Sequence, residues 1–456
     1  MKDQRNAIDF GKMNIPELFI SLFVPTLLGM LAGSLLNLAD GIFVGRGVGS
    51  DALAAVNVAA PVFMISTGIS LMLGSGASVV AAIHLGKGDV KAADINITQA
   101  FTVALAVIIP VVALIVAFPD TVCRLFGGSD RLAPYVKDYL TYASVSIVMT
   151  SILLIGIFII RLDGSPKFGM AANIIGAALN IFLDWLMVFP LGMGVKGAAL
   201  ASSISTLIGS GMVIWYFCGH TKRLSLYKPK FSRTAIMLTM RNCWYMVKLG
   251  FSTFVSETAI SCMMIAGNFM FMSRLHEDGV AAYGIACYLF PLILMFGNAI
   301  AQSALPIISY NKGIGDSQRI RKTIRLCLTV AFVTGTLMSA AGMIFCPQVV
   351  SLFQDKSMAS YRIAVDGFPY MSTAFLFFTL NIVIIGCYQS LERYKPATVF
   401  MVLRGYVLMT ASFIILPNLI GDIGQWHAVP LSEVTTFVLI CVYEAAAAKK
   451  NRRALS

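Results

Sequence analysis

Hydrophobic residues in this chain neither alternate nor recur at the spacing of a half-buried surface helix. They run in blocks of about 20 residues, the length that crosses a bilayer as an α-helix, separated by short clusters of charge, Gly and Pro. Twelve spans are predicted, over residues 15–44, 53–83, 97–118, 139–160, 168–189, 197–218, 245–272, 280–308, 324–346, 367–388, 396–417 and 430–447. A membrane β-barrel is excluded, because its strands would show as segments of about 10 alternating residues. The first block is expected to be retained rather than removed as a leader: it is too long, holds Pro25 and runs directly into a multi-span chain.

Composition agrees. Of 456 residues, 58% are apolar and 12% are Asp, Glu, Lys or Arg, and the mean hydropathy is +0.81. A soluble domain carries about 25% charged residues, so soluble enzymes, disordered chains and disulfide frameworks are excluded. The net charge of +12 points to nucleic acid only until the basic residues are placed. Of the 34 Lys and Arg, 24 lie on the side that carries both termini and 8 on the other, with Lys248 and Arg404 inside spans. Basic residues stay on the cytoplasmic side. Both termini are therefore expected in the cytoplasm of a chain in the inner (plasma) membrane, with an even number of crossings and no nucleic-acid partner. Most of the nine cysteines fall within or beside apolar runs and read as small packing residues. No Cys/His metal spacing occurs, and His84, His220, His276 and His427 fall in or next to connections, so neither a metal site nor enzymatic chemistry is expected.

The longest and most basic connection divides the chain into an amino-terminal lobe (1–219), a basic linker (220–244) and a carboxy-terminal lobe (245–456) ending in a basic tail. A shift of 227 residues brings the halves into register. Ala54-Ala55 falls on Ala281-Ala282, and Gly86, Gly88 and Asp89 fall on Gly313, Gly315 and Asp316. Leu125-Phe126 falls on Leu352-Phe353, Pro190 on Pro417 and Gly194 on Gly421. Since 227 residues contain six spans, both halves enter the membrane in the same direction. The expected fold is an all-α membrane protein of two six-helix lobes related by a parallel pseudo-two-fold repeat, an arrangement typical of secondary transporters.

An ionisable side chain in hydrocarbon costs about 2.5–3.5 kcal/mol on insertion scales and calls for a reason. Asp40 and Asp184 lie near the outer ends of the first and fifth spans, at similar depth. Asn37 and Asn180 stand one turn away on the same faces, and Ser202, Ser203, Ser205 and Thr206 add hydroxyls on the sixth span. Such a group can carry protons or hold a hard monovalent cation; the plainer alternative is contact with water or headgroups. At the 227-residue offset Asp184 falls on Ala411 and Asp40 on Gly267, so the acid pair belongs to one half only. Glu257, near mid-membrane in the seventh span, reads equally as a substrate contact or as a partner of Arg404, which has no other counter-ion in its own segment. Asn268, Asn298, Gln302 and Asn381 are candidates to line a cavity in the second half, with Phe290 and neighbouring Met and Phe side chains as an adaptable wall. Pro25 removes a backbone hydrogen bond from the first span and is expected to kink it.

Asn37-Leu-Ala-Asp40-Gly-Ile-Phe-Val-Gly45, followed by Ala52-Leu-Ala-Ala55, resembles the first-helix signature of the MATE (multidrug and toxic compound extrusion) transporters. Gly86-x-Gly88-Asp89, Arg161-Leu-Asp-Gly164-Ser-Pro166-Lys167 and Asn180-Ile-Phe-Leu-Asp184 are similar to further patterns of that family. The resemblance spans nearly the whole chain. It implies alternating access and the export of drugs or metabolites in exchange for H⁺ or Na⁺. On this resemblance Pro25 is the hinge proline, and Asp40, Asn180 and Asp184 are the ion-coupling residues, joined by Tyr139 and Thr206; any Na⁺ would sit at Asp40 and Asp184. The pattern is closer to the DinF-like and MepA-like branches than to NorM. Asn381 stands where the NorM type carries its second-lobe acid, and Glu257 resembles that branch's helix-7 acid. The expected function is a monomeric cation-coupled antiporter of amphipathic, cationic molecules, with no cofactor beyond the coupling ion and only small molecules and the bilayer as partners. The alternative is a flippase for lipid-linked saccharides. That activity requires a cationic cavity for diphosphate, whereas the candidate residues are net acidic and Arg404 is the one deep base.

Overall fold

A computed structural model describes residues 8–48, 50–126, 130–228 and 232–453. Among them there is no strand, as expected where backbone groups in hydrocarbon must satisfy one another within each segment. In chain order the helices are α1 (Ile15–Gly47), α2 (Ser50–Gly86), α3 (Val90–Ala117), α4 (Pro119–Leu125), α5 (Ala133–Leu162), α6 (Pro166–Val188), α7 (Gly194–Gly219) and α8 (Arg233–Ile314). They continue with α9 (Ser317–Ile344), α10 (Cys346–Ser351), α11 (Ala359–Ser372), α12 (Ala374–Ser390), α13 (Tyr394–Val402), α14 (Met409–Ile420) and α15 (Gly424–Arg453).

Twelve of these stretches cross a membrane. The 82 residues of α8 would reach about 120 Å as one rod at about 1.5 Å per residue, several times the hydrocarbon thickness. It is two spans that meet at His276, whose φ of 54° breaks the helix. Helices α11 and α12, bent by 43° at Thr373, form one span. So do α13 and α14, joined by a π-helical turn over Leu403–Leu408. The helices overrun the predicted blocks: α3 begins at Val90 rather than 97, and α8 at Arg233 rather than 245. Hydropathy reports the thickness of hydrocarbon, and a helix can continue into the polar zone beyond it.

The chain clusters into two compact units, one of Met1–Phe254 with Leu305–Ile320 and one of Val255–Ala304 with Arg321–Ser456. In the first, α5 packs against α2 and α7, and α6 packs against α1 and α7. Small residues such as Ala52, Ala55, Ala59, Ala198 and Ala199 sit in this core and let the helices approach closely. At the ends of α2 and α8, Gly86 and Gly313 touch. A Cβ on Gly86 would fall on the Tyr310 carbonyl and lie 2.9 Å from Gly313 Cα. One on Gly313 would fall on the Ile83 carbonyl and lie 3.0 Å from Gly86 Cα. Both pairs are 227 residues apart, so the contact is its own repeat mate.

The turns that follow are also alike. Gly88 (φ 81°) and Gly315 (φ 87°) adopt the left-handed conformation that ends a helix. Asp89 and Asp316 then cap the next one, accepting from Ala92 N at 3.0 Å and Arg319 N at 2.9 Å. The repeated Gly-x-Gly-Asp is thus turn chemistry used twice.

The first part of the basic linker is strapped to this unit. Buried Asp163, in the turn between α5 and α6, accepts from the backbone N–H groups of Lys222 (2.6 Å), Arg223 (2.7 Å) and Leu224 (2.8 Å) and from the Tyr216 hydroxyl (2.7 Å). Asp94 of α3 accepts from Ser225 N at 2.7 Å.

In the second unit α15 packs on α11, α12 and α14. Its core is aromatic, with Phe271 stacked on Tyr283 at 4.7 Å and edge-on to Trp426 at 4.9 Å.

Candidate functional site

Two buried polar sites stand out, one in each unit. In the first, α6 carries Asp184, fully buried, and Asn180 one turn earlier. The amide orientation that satisfies both of its ends has Asn180 Nδ2 donating to Asp184 Oδ2 at 3.0 Å. Its Oδ1 then accepts from Ser202 N at 3.1 Å and Ser205 Oγ at 3.2 Å. Helix α7 therefore orients Asn180, and Asn180 orients Asp184.

Helix α1 packs along α6 and carries Asp40 near enough for the two acids to interact through space. The two carboxylates repel one another through space when ionised, and both act on the Tyr139 hydroxyl of α5. Oxygen Oδ1 of Asp40 and Oδ1 of Asp184 are buried without a hydrogen-bond partner, and neither acid is ion-paired among the described residues. Leaving a buried polar group unpaired costs about 1–3 kcal/mol, more if it is charged. The arrangement can take up a proton or a small hard cation, with carboxylate oxygens as ligands.

Thr206 turns its hydroxyl back to the Ser202 carbonyl at 2.6 Å. The Asn37 side chain lies outside the described residues. Pro25 is buried within α1, which runs on through it to Gly47. The Ser21 and Thr26 hydroxyls on either side bond back to Leu18 O and Leu22 O, each at 2.7 Å.

The second unit corrects the expectation for Arg404. Its partner is Glu433 of α15 rather than Glu257: Arg404 Nε donates to Glu433 Oε2 at 2.7 Å, with the two side chains 4% and 0% exposed. Asn381 of α12 donates from Nδ2 to the same Oε2 at 2.8 Å and to Glu433 O at 2.9 Å. The guanidinium lies over the Phe378 ring at 4.1 Å. Arg404 sits in the π-helical turn, a distortion frequent at functional sites. Gly405 beside it leaves no room for a Cβ against Ala259.

Ser256, Arg404 and Glu433 line one pocket, whose remaining wall includes Ile260, Met263, Phe290, Leu294 and Phe378. Of the cavity residues expected from sequence, Phe290 lines this pocket and Asn381 holds its acid. Glu257 is half-buried without a hydrogen-bond or ion-pair partner among the described residues, Asn268 is exposed and Gln302 is half-buried, all on α8. A last span that begins at residue 430 places Glu433 at the interface, so hydropathy alone does not single it out. The helix starts at Gly424, so Glu433 lies more than two turns inside it. The signal that could have found it was the lone Arg404, which demanded an acid.

The MatE family model matches the chain twice, over residues 25–186 and 252–413, two segments separated by the 227-residue repeat. The multidrug export protein MepA of Staphylococcus aureus (strain MRSA252) is 23% identical over 420 residues, covering 91% of this chain and 90% of that one. An FAD transporter of Shewanella oneidensis is 24% identical over 357 residues, 77% of each chain. An outward-facing structure of a multidrug resistance MATE family transporter of the MOP superfamily aligns with a TM-score of 0.88. It is 21% identical and covers 97% of this chain and 98% of that one. The likeness in structure shows a shared fold, and the doubled match, at the spacing of the repeat itself, covers most of the sequence. The chain therefore belongs to the MatE family of multidrug and toxic compound extrusion transporters.

Proposed function

We propose that this protein is a cation-coupled antiporter that exports amphipathic, cationic drugs or metabolites by alternating access, driven by H⁺ or Na⁺ at Asp40 and Asp184. The observation that carries this reading is the pair of acids, Asp184 oriented by Asn180 and Asp40 interacting with it through space, each with a buried oxygen that has no partner among the described residues. Such a site favours whichever state lets a cation in. An ion drives a conformational change only through its difference in affinity for the two states, so the acids must lose or change their environment when the transporter turns over.

Drug export is supported by the staphylococcal relatives named as multidrug export proteins, and a metabolite cargo by the relative named as an FAD transporter. The basic bias of the connections supports an inner-membrane protein with both termini in the cytoplasm. The lipid-linked saccharide reading loses ground, because a diphosphate is purely anionic and the deep base it would need, Arg404, shares its site with the buried acid Glu433. The test is efflux of a panel of fluorescent cations from vesicles under an imposed pH or Na⁺ gradient, compared with Asp184→Asn. Gradient-driven efflux that survives this substitution refutes the assignment.

A further inference from the structure

The Arg404 pocket carries binding capacity that the ion site does not use. Glu433 spends Oε2 on Arg404 Nε and Asn381 Nδ2, while its Oε1 is buried and without a partner among the described residues. The Ser256 hydroxyl, on the same pocket, is in the same condition. A guanidinium has five N–H donors. Arg404 gives one to Glu433 and directs Nη1 only at the Met401 sulfur, 3.6 Å away. Phe378 beneath it fixes its plane. Unspent donors, an unspent carboxylate oxygen and a hydroxyl thus share one pocket with an apolar wall that includes Met263, Phe290 and Leu294. The cavity they line is small, about 20 Å³, so it admits a compact polar group and not a whole drug-sized molecule, whose body would lie outside it.

We propose that this pocket is a substrate subsite for the polar head of a zwitterionic amphipathic molecule, whose carboxylate accepts from Arg404 and whose donor or positive charge meets Glu433. A permanent monocation meets Glu433 but is repelled by Arg404, and an anion meets the opposite conflict. Only a head carrying both satisfies the pair. The proposal takes its meaning from the export reading, but its test does not depend on it.

Rhodamine 110 and rhodamine 123 share one xanthene cation and differ in a free carboxylate against its methyl ester. Their binding to the purified full-length protein is read by fluorescence anisotropy without any ion gradient. Wild-type protein is expected to bind rhodamine 110 about tenfold more tightly than the ester, the worth of one charge-assisted hydrogen bond. Arg404→Gln/Glu433→Gln, which keeps the pocket neutral, should abolish this preference, with a single cooperative melting transition reporting an intact fold. Ser256→Ala leaves the ion pair alone and should weaken rhodamine 110 selectively, by about threefold. Equal wild-type affinities, a preference for the ester, or a preference that persists in the double variant would overturn the subsite. If the preference is present but no gradient drives either dye, the antiport reading fails and the subsite stands. If gradients drive both dyes without a preference, the reverse holds.

Discussion

Replacing Gly86 with Ala tests whether the paired glycines set how closely the ends of α2 and α8 pack within the first unit. The new Cβ would fall on the Tyr310 carbonyl and lie 2.9 Å from Gly313 Cα. Carbon atoms rest at about 3.5–4.0 Å, so the two helix ends must separate by about 1 Å. Both obstacles are backbone atoms of a helix, which cannot rotate aside as a side chain would. Overpacking of this kind costs about 1–3 kcal/mol, a shift of roughly 5- to 150-fold in the population of the state that contains the contact. Hydrogen exchange followed by mass spectrometry reads the effect directly. Amides of residues 80–86 and 305–314 should exchange faster by a comparable factor, while those of α5 stay protected. Because the contact is reciprocal, Gly313→Ala should act alike, and the double variant should show less than the sum of the two. Exchange at both helix ends indistinguishable from wild type would refute the reasoning, since it would mean that a methyl group fits where the geometry leaves no space.

Three further outcomes are expected. Asp184→Asn should insert normally yet lose ion-driven efflux, because an amide cannot exchange a proton or supply the same charge; retained coupling in reconstituted vesicles would count against the acid site. Arg404→Gln and Glu433→Gln should each destabilise the protein by about 3–5 kcal/mol, the cost of leaving one buried charge alone, whereas the double substitution should recover most of it. All nine cysteines are free, and six are buried, so a thiol-reactive dye can follow unfolding; equal midpoints for the single and double variants would contradict the pairing. Asp163→Asn should release the strap on the linker, at about 1–3 kcal/mol for each backbone N–H left unpaired. Trypsin should then cut faster at Lys222 and Arg223, and an unchanged cutting rate would show that the strap is held by something else.

Span number and repeat were legible because each is written redundantly. Twelve blocks each carry about 20 apolar residues, and the 227-residue offset is marked by turn residues with a single conformational job, as at Gly88 and Gly315. The acid site was legible in part. Asp184 and Asn180 are one turn apart on one helix, so their meeting follows from helix geometry. That Ser202 and Ser205 hold Asn180 depends on how α6 and α7 pack, which spacing within a helix does not encode. The Arg404 partner illustrates the limit. A reading by depth offers Glu257 and leaves Glu433 at the interface; because α15 starts at Gly424, Glu433 lies deep enough to meet Arg404 in the π-helical turn over Leu403–Leu408, a local backbone shift with no periodic signature. Thr206, offered for the ion site, instead satisfies its own helix, as Ser and Thr hydroxyls often do within the membrane.

The two halves of the repeat solve the same electrostatic problem in opposite ways. The fifth and eleventh spans correspond, as do the sixth and twelfth, yet the offset places Arg404 against Ala177 and Glu433 against Thr206. In the other direction Asp184 falls on Ala411 and Asn180 on Val407. Where the second half has a buried acid it also has a resident cation, 2.7 Å away and fixed to the same unit. Where the first half has buried acids, neither has an ion-pair partner among the described residues. A tethered guanidinium can neutralise Glu433 in every state of the cycle, and so cannot by itself report which side is open. On the proposed ion-coupled reading, Asp40 and Asp184 borrow their neutralising charge from outside, which makes their condition depend on access. If the function is ion-driven, that dependence belongs to the half that lacks the arginine, and the half that has it is free to serve the cargo.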